Sequence, residues 1–149
     1  MTERVISADS AVETQDAGAD LASMLQAGDV LLLRGNLGAG KTTFAQGIAR
    51  GLGVRGPVQS PTFTLIAEYP APLLGPHGQF VHVDLYRLDG VADVSTIGLD
   101  EYFDCPACVT VIEWPDRAGP MTYPPHWSVG LELTGDDTRR ITILEPLRD

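Results

Sequence analysis

The spacing of apolar positions switches along the chain between helix-like and strand-like periods, and that alternation predicts an α/β fold. Residues 4–6 suit a short first strand. Ser10 followed by Glu13 is a capping-box pair, after which Ala17, Leu21, Met24 and Leu25 form an apolar stripe that ends near Gly28. Residues 30–33 are a continuous apolar run of strand length. Phe44, Ile48, Ala49 and Leu52 then recur at helical spacing until Gly53 stops the helix. Gly56, Pro57, Ser60 and Pro61 make a turn-rich link into a strand expected over residues 63–69, and residues 70–78 read as an exposed connector.

Two further apolar strands each close on an acid: residues 80–84, ending in Asp84, and residues 109–112, followed by Glu113, Trp114 and Pro115. Between them, residues 85–103 suit one or two short helices broken around Gly98. From Trp127 onward, Val129, Leu131 and Leu133 alternate with polar residues, Gly135 and two aspartates make a turn, and Ile141 and Ile143 follow, which is a β-hairpin with one buried face. The expected architecture is one domain over residues 1–149: a central, mostly parallel but mixed sheet flanked by helices and finished by the C-terminal β-hairpin.

Chemistry enters at the junction of the second strand and its helix. Gly35, Gly40, Lys41 and Thr42 fit the phosphate-loop pattern G-x-x-x-x-G-K-[ST], and the strand before and the helix after supply the context it needs. In such a loop the backbone amides cradle phosphates, the lysine reaches the outer ones and the hydroxyl holds magnesium. The expected phosphate contacts are therefore Asn36, Leu37, Gly38, Ala39, Gly40, Lys41, Thr42 and Thr43. Lys41 is the one lysine in a chain with nine arginines, so a compact ammonium stands only where the loop needs it. This makes the fold class a P-loop NTPase domain. A strand ending in an acid supplies the carboxylate beside hydrated magnesium, which assigns Asp84 to the metal site. Parallel strands deliver such acids to one sheet edge, which adds Glu113 as a magnesium ligand or as an orienter of the attacking water. Thr62 and Thr64 sit where a switch-like segment meets a γ-phosphate. Trp114 is read either as a cover for the site or as a core aromatic capped by Pro115. Arg139 and Arg140 are read first as exposed strand charges, with approach to a nucleotide as the alternative.

The chain has 149 residues, 44% of them hydrophobic, and a formal charge of −10. The acidity argues against autonomous nucleic-acid binding, so any RNA would be held by a partner. No apolar run approaches about 18 residues, and the N-terminal residues have neither an apolar core nor a basic flank; the expectation is a cytoplasmic protein without a membrane span. Cys105 and Cys108 form a C-x-x-C that leads into a strand rather than opening a helix, and His77, His82 and His126 offer no second ligand pair at zinc spacing. The pair is read as incidental reduced thiols.

The segments GNLGAGKTTF, SPTFTL, HVDLYRL, GLDEYF and VIEWPDRAG, in this order and over roughly residues 5–145, resemble the bacterial TsaE family of small ATPases required for threonylcarbamoyladenosine modification of tRNA. The resemblance implies binding of ATP and magnesium, action with the TsaD and TsaB proteins, and hydrolysis that supports repeated t6A37 modification of tRNAs reading ANN codons. It implies magnesium ligation by Thr42 and Glu113, Asp84 as the Walker B carboxylate, a first switch-like segment at SPTFT and a second at Glu113 and Trp114. Ala11 and Thr14 align with the family's nucleotide-base region. Catalytic roles fall to Lys41, Asp84 and Glu113, with slow hydrolysis until a partner completes the site. Rival readings are a small-molecule kinase and a nucleotide-dependent binding module. A GTPase would need a D-x-x-G and an N-K-x-D, and Asp84 is followed by LYR while the lone lysine is already used.

Overall fold

The computed structural model describes residues 2–61, 65–88, 98–118 and 123–147. In chain order the elements are β1 (Glu3–Ala8), α1 (Ala11–Ala22), β2 (Val30–Gly35), α2 (Lys41–Gly51), β3 (Ile66–Pro70), β4 (Gln79–Asp84), α3 (Leu99–Phe103), β5 (Cys108–Glu113), β6 (Trp127–Leu133) and β7 (Arg139–Leu144). The strands form one seven-stranded sheet in the order β1-β7-β6-β2-β5-β4-β3. The four central strands, β6, β2, β5 and β4, run parallel, and the outer ones join antiparallel. This is the expected mixed α/β sheet with its C-terminal hairpin. Among the described residues no helix is long and apolar enough to cross a membrane.

The central strands read as unbroken apolar runs because both of their faces are covered. Leu31, Leu33, Phe80, Val109 and Val111 pack with Phe44 and Ile48 of α2 and Leu21 of α1. Val30, Leu32, Val81, Val83 and Ile112 pack on the other face with Leu85, Leu88 and Leu99. Parallel order then brings the carboxyl ends of β2, β4 and β5 to one edge, where Asp84 is in register with Glu113 and Glu113 with Leu33.

Helices α1 and α2 approach closely at glycines. A Cβ on Gly47 would stand 1.9 Å from the Gln15 carbonyl oxygen, and one on Gly18 would stand 2.3 Å from that of Phe44. At the start of α1 the Ser10 hydroxyl accepts from the Glu13 amide at 3.1 Å, as the capping pair predicts, while the Glu13 carboxylate accepts from the Asp9 amide rather than from that of Ser10. Helix α1 ends at Ala22, before Met24 and Leu25, whose amides make tighter i→i−3 bonds to Leu21 and Ala22. Strand β3 starts at Ile66, later than expected: Leu65 has a φ of 65° and donates its amide to the Pro61 carbonyl. Residues 62–64 lie outside the described residues, as do residues 89–97 of the expected helical stretch.

The reading of Cys105 and Cys108 as free thiols is corrected: they are joined in a disulfide. The Cys105 amide bonds to Tyr102 at the end of α3 and the Cys108 amide bonds back to Cys105, and this turn sets the two Cα atoms 5.4 Å apart, inside the bridging range.

Candidate functional site

The loop between β2 and α2 stands over the carboxyl edge of the sheet. Gly40 takes a φ of 100°, where an L side chain is strained, and a Cβ there would meet the Arg139 guanidinium at 2.9 Å. Helix α2 begins at the next residue with no side-chain cap and no acid in its first turn, so its N-terminal amides remain for an anionic acceptor. Asn36 and Ala39 close the loop through an amide-to-carbonyl bond of 3.0 Å, Arg139 Nε donates to the Ala39 carbonyl at 3.0 Å, and Leu37 projects into solvent. Gly38 has a φ of 79° and nothing within 4 Å of where a Cβ would be, so the backbone is open on that side.

Lys41 is only 5% exposed. Its ammonium donates to the carbonyls of Gly35 at 2.6 Å and Asn36 at 2.9 Å and lies 4.2 Å from the centre of the Trp114 ring. Burial holds its pKa below the ordinary lysine value, an effect that the nearby carboxylates of Glu113 and Asp84 oppose. Thr42, the next residue, donates its hydroxyl to Glu113, with distances of 3.1 Å to Oε2 and 3.3 Å to Oε1. Glu113 is 3% exposed, and its Oε2 also meets His82 Nε2 at 2.6 Å. Asp84 is held differently: its Oδ2 accepts from the Ser60 hydroxyl at 2.9 Å and its Oδ1 from the Tyr86 amide at 3.0 Å.

These groups line one cavity of about 490 Å³, whose walls include Leu37, Gly38, Gly40, Lys41, Thr42, Thr43, Ser60, Asp84, Glu113, Trp114 and Arg139. Aromatic side chains, Tyr86 and Trp114, and the arginines Arg87 and Arg139 are part of its lining. Trp114 has a φ of 58° and its ring sits 4.9 Å from that of Tyr86, with the Arg117 guanidinium 5.0 Å from the Tyr86 ring. Tyr123 donates its hydroxyl to the Pro115 carbonyl at 2.7 Å; burial, with a smaller push from Asp116, raises that phenol to about 12.

The structure therefore brings Lys41, Thr42, Asp84 and Glu113 to a single cavity and places the loop residues from Asn36 to Thr43 along or behind its wall. Thr62 and Thr64 lie outside the described residues. Trp114 takes the covering position, although part of it also packs on the core beneath. Arg139 reaches the phosphate loop instead of standing free, while Arg140 fits the exposed reading, 3.6 Å from Glu132. Thr14 is fully buried, and its hydroxyl turns back to the Ser10 carbonyl at 3.0 Å. Sequence reasoning missed His82 as a partner of Glu113. The available signal was a lone imidazole in an apolar strand, two residues before Asp84 and hence on the same face.

The donors are a hydroxyl and two carboxylates, the hard oxygens that magnesium takes. Among the described residues no group of three or more His, Cys, Asp or Glu side chains could hold a metal by itself. A cation here would need the oxygens of a second ligand, as magnesium at phosphate sites does.

Residues 8–141 match the family model described as Threonylcarbamoyl adenosine biosynthesis protein TsaE. The chain is 39% identical over 130 residues to the tRNA threonylcarbamoyladenosine biosynthesis protein TsaE of Bacillus subtilis (strain 168), covering 87% of this chain and 78% of that one. The protein of the same name from Treponema pallidum (strain Nichols) is 36% identical over 137 residues, covering 90% and 95%. The one from Streptomyces coelicolor is 45% identical over 106 residues, covering 67% and 66%. The crystal structure of Bacillus subtilis YdiB superposes with a TM-score of 0.78 at 34% identity, covering 95% of this chain and 84% of that chain.

Proposed function

Because the chain belongs to the TsaE family of threonylcarbamoyladenosine biosynthesis proteins, we propose that it binds Mg-ATP in the cavity above α2 and hydrolyses it in support of tRNA t6A modification. The observation that carries this reading is the Thr42–Glu113 bond: it ties the first turn of α2 to the end of β5, beside Asp84, in the wall of the cavity that holds the Lys41 ammonium. Phosphates fit where the loop amides and the start of α2 converge. Lys41 turns from its loop carbonyls toward phosphate oxygens and stabilises the charge that develops as water attacks the γ-phosphate. Thr42 and Glu113 would hold magnesium, and Asp84, fixed by Ser60 and the Tyr86 amide, would support the metal site or orient the nucleophile. Magnesium itself supplies charge neutralisation at the phosphates.

The chain's net charge of −10 argues against direct tRNA binding and so supports leaving tRNA to partners, a role the reading assigns to TsaD and TsaB. Slow turnover by the chain alone, with a partner adding to the charge neutralisation at the phosphates, is part of the same reading. The test is reconstitution: single-turnover ATP hydrolysis measured with and without TsaB and TsaD, then repeated rounds of tRNA modification from threonylcarbamoyl-adenylate. The expected result is stimulated phosphate release and more than one round. A single round whether or not this chain is present would overturn the tRNA role. ATP consumed without matching free phosphate, with label on a metabolite, would move the site to a kinase.

A further inference from the structure

We propose that His82 is a positioning residue for Glu113: it fixes the carboxylate so that one oxygen is kept for the metal bound with the nucleotide. The inference rests on the Mg-ATP reading and adds to it a residue that touches neither metal nor phosphate. Strand β4 sends His82 and Asp84 to the same face, and its parallel register with β5 sets Asp84 opposite Glu113 and His82 opposite Val111, so the imidazole is the diagonal neighbour of the Glu113 side chain. Its Nε2 lies 2.6 Å from Oε2. The ring is 0% exposed, and the Phe80 ring stands 6.0 Å away on the same strand face. Oε1 meets only the Thr42 hydroxyl among the described residues, at 3.3 Å, and remains for a ligand.

The second ring nitrogen carries the argument further. Nδ1 is buried and has no hydrogen-bond partner among the described residues. A neutral ring with its proton on Nε2 donates to Oε2 and leaves only a bare lone pair at Nδ1, whereas a proton on both nitrogens would bury a donor with nothing to accept it. A side chain whose Nδ1 finds no partner among the described residues, set beside Phe80, Val81 and Val83, is poor filling for a core. What it provides is direction. A carboxylate bonded on one oxygen by a clamped ring cannot rotate its acceptors away from Thr42, and outer partners of this kind set the orientation of metal ligands.

The experiment measures ADP affinity by calorimetry with magnesium and with EDTA, for the full chain and for H82L, H82N, H82Q and E113Q. The wild type is expected to bind ADP more tightly with magnesium, and E113Q to lose that gain. H82L should lose about tenfold to a hundredfold of the magnesium-dependent gain, keep its EDTA affinity, and melt no lower than the wild type. H82Q, whose amide nitrogen can extend to Oε2, should recover most of the gain. H82N, whose shorter amide cannot, should not, and it decides the matter if H82L fails to fold. Full magnesium dependence in H82N, or equal loss in H82N and H82Q, overturns the role of His82. A wild type with no magnesium-dependent binding, or an E113Q protein that keeps it, overturns the Mg-ATP reading instead.

Discussion

The Lys41 ammonium lies 4.2 Å from the centre of the Trp114 ring while donating to two carbonyls of its own loop. The only lysine of the chain is thus held beside an aromatic ring in the wall of the cavity. On the Mg-ATP reading, replacement by alanine removes a preorganised charge at the γ-phosphate, with an expected loss of about 10²- to 10³-fold in turnover. Lys41→Arg is not expected to restore it, because a bulkier planar guanidinium does not replace a compact ammonium in this buried position. Phosphate release under single-turnover conditions checks both variants, and a Lys41→Ala protein that hydrolyses ATP at the normal rate would sink the assignment.

Burial also makes Lys41 a pH-dependent element. Its folded pKa is held below the ordinary 10.5 by desolvation, against the opposing pull of Glu113 and Asp84. Between the lowered value and 10.5 the unfolded chain keeps a proton that the free folded protein has released, so stability rises with pH across that window relative to Lys41→Met. Phosphates favour the ammonium, so nucleotide affinity falls as pH rises through the lowered value, and binding there takes up a proton. Calorimetry in two buffers of different ionisation enthalpy reads that uptake. It should be absent in Lys41→Met, and an equal uptake in both proteins would refute the account.

The contact between α1 and α2 predicts an asymmetric response to alanine. At Gly47 a Cβ would lie 1.9 Å from the Gln15 backbone oxygen, which cannot rotate away, so the helices must separate. Overpacking of this kind costs about 1–3 kcal/mol, and a backbone neighbour puts Gly47→Ala at the upper end. Gly130 in β6 has nothing within 4 Å of its Cβ position. Gly130→Ala should change stability by less than about 0.5 kcal/mol. Urea melts of the two variants make the comparison, and equal stabilities would show that α1 and α2 pack less closely than described.

How far the site could be read in advance follows the distance along the chain over which each feature is decided. The strand, loop and helix from Val30 to Gly51 were legible because apolar period, glycine placement and the lone lysine all act within about one turn or strand length of each other. Asp84 and Glu113 were legible as strand-end acids, since a parallel sheet sends such ends to one edge. The links His82–Glu113, Arg139–Ala39 and Lys41–Trp114 were not, because each depends on register between segments 31, 100 and 73 positions apart. Gly47 carried no signal of its own either: a glycine in a helix is only a weak spot until a second helix is known to lie against it. The C-x-x-C spacing suits thiols, a metal or a bridge alike, and the turn between α3 and β5 decided among them.

That bridge is expected to matter for stability and not for the site. Cys108 opens β5 and Glu113 closes it, so about six residues of strand, roughly 17 Å, separate the disulfide from the carboxylate. The bridge closes a short loop, sequence separation three, for which the chain-entropy account gives only about 2 kcal/mol. Reduction should lower stability by that amount or less and leave Mg-ADP affinity unchanged within about twofold, a shift of roughly 0.4 kcal/mol. A larger loss of affinity would mean that the α3–β5 turn communicates with Glu113 along the strand, and the bridge would then have to be counted among the groups that hold the site in place.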